Sequence, residues 1–255
     1  MIPIKTSDEI EKMVYCGKAL AEVLDKLKEM IKPGIQTIEL DRAFNRYLLK
    51  RRIKPAFKGY KEGDYGRGFP ASICVSINDE VVHGIPGERI IKEGDVVTID
   101  AGASYEGLIT DAAFTVCLNP KDKKVERLVE ATERALSLAI EIVKEGINVE
   151  DISSLIGRVI QKEGFSIFPS LAGHGVGKSL HEDPIIPNFG HSGKGEKLKE
   201  GMTLAIEVMA CLGKGDLLLE ADGWTLKTAD GSIAAQSEHT VLVTKTGHKI
   251  LTALQ

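Results

Sequence analysis

Cysteine is scarce in this chain: four in 255 residues, at Cys16, Cys74, Cys117 and Cys211. No two form a C-x-x-C pair, which excludes a thiolate zinc site and a disulfide framework. They read as reduced packing residues, with Cys74 the one to watch. Long apolar runs are also missing. No stretch approaches the ~18 residues of a membrane span, and Met1-Ile2-Pro3-Ile4-Lys5 leads into no apolar signal core. A cytoplasmic protein without membrane contact is the expectation. Nor is there a surplus of one charge: 33 basic and 37 acidic residues leave −4, which argues against a general polyanion binder such as a DNA-binding protein. The basic stretches from Lys50 to Lys54 and from Lys121 to Lys124 read as solvated faces, with contact to a ribosome as the alternative. Aromatics make up only 5%, with a single tryptophan, Trp224. No linker divides the chain, and its 43% apolar content suffices for one continuous core.

What is present is organised in pairs. Thr6 with Glu9 forms a capping box, and Ile10, Met13, Gly17, Leu20, Leu24 and Leu27 keep helical spacing up to Pro33-Gly34. A second helix begins near Thr37, with Leu40, Phe44 and Leu48 on one face. The pattern then returns: Val125, Leu128, Val129, Leu136, Ala139 and Val143 predict a helix ending at Glu145-Gly146, and Ile152, Leu155, Ile156, Val159 and Ile160 predict a fourth. The phrase around Pro33-Gly34 recurs around Glu145-Gly146 at an offset of 112, and Lys92-Glu93-Gly94 recurs as Lys199-Glu200-Gly201 at 107. The near-equal offsets point to duplicated half-repeats, roughly 6–118 and 121–245, within a single domain spanning 1–255. Strands are expected at 72–77, 96–99, 112–118, 203–208 and 239–243, with glycine-rich turns at 173–177 and 213–215. The fold class is α+β, with helix pairs covering a curved, mostly antiparallel sheet.

In each copy of the Lys-Glu-Gly phrase an acid follows eight residues after the lysine, giving Asp100 and Glu207. An ionised carboxylate at the end of an apolar run such as Val96-Val97-Thr98-Ile99 is costly unless compensated. Asp100 and Asp111 are expected to flank a hairpin turn over 101–107, with Glu207 opening the equivalent turn. His174 lies in Gly173-His174-Gly175-Val176-Gly177, where missing side chains allow close backbone approach to a ligand. Taken singly, each acid reads as a cap and the histidine as satisfied core. Together with Glu238 they make four carboxylates and one imidazole, a set suited to manganese, iron, cobalt or zinc. Five ligands exceed an ordinary zinc site. Bridging carboxylates would hold two divalent ions about 3.5–4 Å apart.

Seven phrases in order extend the pattern: Val82-His83-Gly84-Ile85-Pro86, Ile99-Asp100-Ala101-Gly102, Thr110-Asp111-Ala112-Ala113, Gly173-His174-Gly175-Val176-Gly177, His181-Glu182-Asp183-Pro184, Thr203-Leu204-Ala205-Ile206-Glu207 and Glu238-His239-Thr240. With them the chain resembles the type I methionine aminopeptidases of the creatinase-like pita-bread fold over nearly its whole length. The resemblance implies removal of the initiator methionine from nascent polypeptides, preferring a small second residue, by a monomer carrying two divalent transition-metal ions. It implies Asp100, Asp111, His174, Glu207 and Glu238 as ligands, Asp111 and Glu238 bridging, Asp100 on one ion and His174 with Glu207 on the other. Glu207 would also shuttle the proton, His181 would bond the scissile carbonyl or oxyanion, and His83 would orient the amide. Phe57, Tyr60, Phe69, Cys74, Leu180 and Trp224 would form the methionine pocket, which must be apolar to accept a thioether.

Two features depart from that family. Val208 stands where it usually has proline, and the segment 61–68 is a longer, glycine-rich loop, expected as a surface loop with a flap over the site as the sharper alternative. The rival readings are a proline-specific peptidase of the same fold, which generally carries a large N-terminal domain, the type II methionine enzyme, whose helical insertion has no room between His181 and Glu207, and a non-catalytic relative that has lost its ligands.

Overall fold

In the computed structural model, which describes residues 2–61 and 67–254, the chain folds as two successive sets of helices and strands. The first set is α1 (Ser7–Met30), α2 (Thr37–Lys50), β1 (Lys54–Pro55), β2 (Cys74–Ile77), β3 (Glu80–Val82), β4 (Val96–Tyr105) and β5 (Leu108–Cys117). The second is α3 (Lys123–Glu141), α4 (Val149–Lys162), β6 (Ser166–Ile167), β7 (Ala172–Gly175), β8 (Glu182–Pro187), β9 (Thr203–Cys211), β10 (Leu217–Leu219), β11 (Leu226–Thr228), β12 (Ala234–Val243) and β13 (His248–Ile250). A ten-stranded sheet runs β1-β4-β5-β12-β9-β7-β8, with β2 on β4, β6 on β9 and β13 on β12; β10, β11 and β3 form a smaller sheet. Every pairing is antiparallel. The loop expectation at 61–68 falls largely on 62–66, outside the described residues.

Alternation along the central strands decides what each face of the sheet meets. In β4, Val97, Ile99, Ala101 and Ala103 pack into one core with Leu20, Leu24 and Leu27 of α1 and Leu40, Phe44 and Leu48 of α2. In β9, Leu204, Ile206, Val208 and Ala210 do the same with Leu128, Leu136, Ile152 and Ile156 of α3 and α4. Full burial of each large side chain contributes about 1.5–3 kcal/mol, so these two cores press the helix pairs onto one face of the sheet. The intervening residues, Asp100 and Glu207 among them, are left to the other face. Val208 lies within unbroken strand, so the absent proline costs β9 nothing visible.

The helix starts follow the sequence. Thr6 and Glu9 close a capping box at α1, while α3 ends at Glu141, before the Glu145-Gly146 stop, as Val143 N–H closes a turn onto Ile140 O. The strands run further than their apolar runs. β4 and β5 continue through Gly102 to a turn at Glu106-Gly107, so no turn occupies 101–105 and the two aspartates lie within strands. Glu207 is likewise within β9, and the glycine-rich 173–175 forms part of β7. A Cβ on Gly173 would lie 2.5 Å from Ala205 O, so glycine there is what lets β7 close onto β9.

Hydrogen bonds recur at the offsets seen in the repeats. Gly34 N–H donates to Ile91 O and Thr37 N–H to Arg89 O; Gly146 N–H donates to Leu198 O and Val149 N–H to Glu196 O. Gln36 bridges Ile90 as Asn148 bridges Lys197.

Candidate metal centre

Strand register alone assembles the acids. Asp100 pairs with Ala113, Ala113 with Glu238 and Glu238 with Glu207, so one row across β4, β5, β12 and β9 carries three carboxylates on one face. Ala113 is the small residue in that row, and Asp111, two residues along β5, shares its face. His174 pairs with Ala205 on the neighbouring strand and faces the same way.

These five side chains are almost sealed from water, none more than 9% exposed. Burial pushes Asp100 up to about 7, against the pull of the Gln236 amide. It drives Asp111, Glu207 and Glu238 well above the ordinary carboxylate range, with neighbouring acids adding to the rise. His174 is pushed down to about 4 by burial and by His181, so it is neutral at pH 7. Its Nδ1–H donates to Gly175 O over 2.8 Å, which leaves the Nε2 lone pair 3.7 Å from Glu207 Oε1. Two lone-pair atoms facing each other in a dry site call for a cation or a proton between them.

The donor set fits a metal on three counts. Asp100 Oδ1, Asp111 Oδ1 and Glu238 Oε1 are buried without a hydrogen-bond partner. Ligand atoms of Asp111, His174 and Glu238 all lie within 4.8 Å of one another, so small side-chain shifts would bring them to the roughly 3.4 Å between donors that share an ion tetrahedrally at ~2.0–2.2 Å. The imidazole presents the ring nitrogen that its backbone bond leaves unprotonated.

The acids form the floor of a cavity of about 420 Å³, whose lining includes every candidate site residue named from the sequence. Phe57, Phe69, Cys74 and Leu180 make an apolar cluster beside the acids, with Tyr60 and Trp224 packed against it. Phe69 and Trp224 meet edge to face at 5.3 Å. Gly102 permits this arrangement: a Cβ there would stand 2.6 Å from the Phe57 ring. Tyr60 does more than line the pocket, since its hydroxyl lies 2.7 Å from His181 Nδ1. His181 also meets His174 edge to face at 4.4 Å. His83 sits in the left-handed backbone region at φ 61, a conformation costing a non-glycine residue on the order of 1 kcal/mol, and such strain gathers at functional positions.

A model of the metallopeptidase family M24 matches residues 11–245. The chain belongs to metallopeptidase family M24. A methionine aminopeptidase of Mycoplasma capricolum is 45% identical to this M24 chain over 253 residues, covering 99% of it and 98% of that protein. The crystal structure of methionine aminopeptidase from Thermotoga maritima superposes with a TM-score of 0.96 at 44% identity, covering all of both chains. An Xaa-Pro dipeptidase from Bacillus anthracis, 21% identical, shares the fold with a TM-score of 0.77, but this chain spans only 62% of it.

Other residues around the M24 centre hold its ligands, Gln236 and Asn188 from outside the motifs and Thr240 from within the last of them. Gln236 Nε2 donates to Glu207 Oε2 over 3.3 Å. Asn188 donates to Glu207 O and accepts from Met209 N, tying the chain after β8 to β9. Thr240 Oγ1 accepts from Asp111 N and donates to Asp111 O. Gln236 could have been found, because it precedes Glu238 by two and shares its face; Asn188 carries no local signal.

Proposed function

We propose that this protein hydrolytically removes the N-terminal methionine of polypeptides, using two divalent transition-metal ions held by Asp100, Asp111, His174, Glu207 and Glu238. The observation that carries this reading is one cavity in which unpartnered buried acids adjoin an apolar, aromatic-walled cleft. Asp111 and Glu238 would serve both ions, with Asp100 holding one and His174 with Glu207 the other. Metal held there supplies a Lewis acid near which water becomes nucleophilic at neutral pH.

The side chains do the rest. Phe57, Phe69, Cys74, Leu180 and Trp224 take the thioether, while the acids receive the free amine, which restricts cleavage to the chain's first residue. His83 orients the scissile amide. Tyr60 donates its hydroxyl proton to His181 Nδ1, so that Nε2–H points its proton at the scissile oxygen as charge develops there. Glu207 accepts the water's proton and delivers it to the departing amine. The preference for a small second residue rests on the family resemblance.

The molecule acts as one catalytic unit over 1–255, built of half-repeats of roughly 6–118 and 121–245, as a cytoplasmic monomer acting on nascent chains. Recurrence of the same backbone bonds at both offsets supports the duplication. No helix among the described residues is long and apolar enough to cross a membrane. The identity of the metal, among cobalt, manganese, iron and zinc, follows cellular supply. Release of methionine from Met-Gly-Met with no cleavage of Xaa-Pro peptides is the expected result. Preferential cleavage of Xaa-Pro would instead assign the chain to the activity of its more distant structural neighbours.

A further inference from the structure

We propose that the catalytic cavity continues past the edge strand β8 into a groove between β8 and the start of α4 that holds the substrate polypeptide several residues beyond its methionine. This rests on the aminopeptidase reading above. Among the described residues β8 pairs only with β7, so it is an edge of the large sheet. Ile185 pairs with His174 and Pro187 with Ala172, so both stand on the face that carries the metal ligands. Ile186, between them, turns the other way into the core under α3 and α4 and is 1% exposed. Ile185 is 56% exposed, and Phe189, two residues past Pro187, is 45% exposed. These three residues share a second cavity of about 440 Å³ with Val149, Glu150 and Glu196.

Ile185 also lines the catalytic cavity, so the two spaces share a wall. That continuity selects the occupant. A polypeptide with its amine at the acids and its methionine beside Phe57 must leave over the cavity rim, and Ile185 is on that rim. From Ile185 to Phe189 is at most about 13 Å, the reach of about four extended residues. Apolar side chains at alternate positions of the substrate would cover the stripe. Glu150 and Glu196 on the groove wall oppose an acidic segment there, and Glu150 is fixed in place by accepting from His191 N over 2.7 Å.

The test compares Met-Gly-Met with two nonapeptides that begin Met-Gly-Met, one with leucine and one with aspartate at its fourth and sixth positions. For the wild type we expect kcat/KM about tenfold higher for the leucine nonapeptide than for the tripeptide, and no such gain for the aspartate peptide. Phe189→Ala, outside the catalytic cavity, should leave tripeptide hydrolysis unchanged and reduce the gain to about threefold. Equal kcat/KM for all three peptides, or a gain that survives Phe189→Ala, would overturn the groove while tripeptide hydrolysis leaves the aminopeptidase reading standing. Absence of methionine release from every peptide would overturn both.

Discussion

Stripping metal from the protein should make its stability fall as pH rises, and Asp100 sets the scale. Burial raises its carboxyl from 3.8 to about 7. Between those values the folded state keeps a proton that the unfolded chain has released, so each pH unit removes about 1.4 kcal/mol per such proton. The contribution is neutral below pH 4, grows more unfavourable up to about pH 7, and is level above that. Over the interval Asp100 alone accounts for about 4 kcal/mol, and Asp111, Glu207 and Glu238, raised in the same direction, steepen the slope. Asp100→Asn has no proton to lose there. Urea unfolding of chelated protein at pH 5, 6 and 7.5 should show the wild type weakening and the variant weakening less. At pH 7.5 the metal-free variant should be the more stable of the two by up to about 4 kcal/mol. Metal uptake by the wild type should release protons and tighten as pH rises. A wild-type curve that is flat or rising across this interval, or one parallel to that of Asp100→Asn, would refute the reasoning.

Three further expectations concern the site. Asp111→Ala or Glu238→Ala should nearly abolish turnover and lower the bound metal measured by elemental analysis. His181→Ala should lower kcat about 100-fold in steady-state assays with KM little changed, as for loss of a donor to developing charge; a rise in KM alone would remove it from the transition state. Gly102→Ala should drive the Phe57 ring out of the cleft, raising KM for methionyl peptides and costing about 1–3 kcal/mol in thermal unfolding.

The sequence made the fold legible through two periods. Helical spacing in α1 to α4 and alternation in β4 and β9 are local properties, and each core residue reports its face directly. The ends of the strands are less legible because a glycine in sequence reads as a break. Gly102 lies in mid-hairpin beneath Phe57, and Gly173 lies where β7 closes onto β9; both contacts are made with residues distant in sequence. Whereas His83, His181 and the pocket residues rest on the family resemblance, the buried acids stand out because charged groups in apolar runs are costly. Their grouping could not be derived from spacing, since it depends on cross-strand register: Asp100, Glu238 and Glu207 share a row only after β12 inserts between β5 and β9. Asn188 gives no such signal: an amide in a loop carries no charge penalty, so only its folded contacts reveal that it holds the strand at Glu207.

If the buried acids and imidazole hold catalytic metal, metal content and release of methionine from Met-Gly-Met, measured on the same sample, must rise and fall together. Two divalent equivalents per chain are expected, with loss of activity on chelation and its return in step with added metal. Full activity in protein that contains no metal would contradict that expectation.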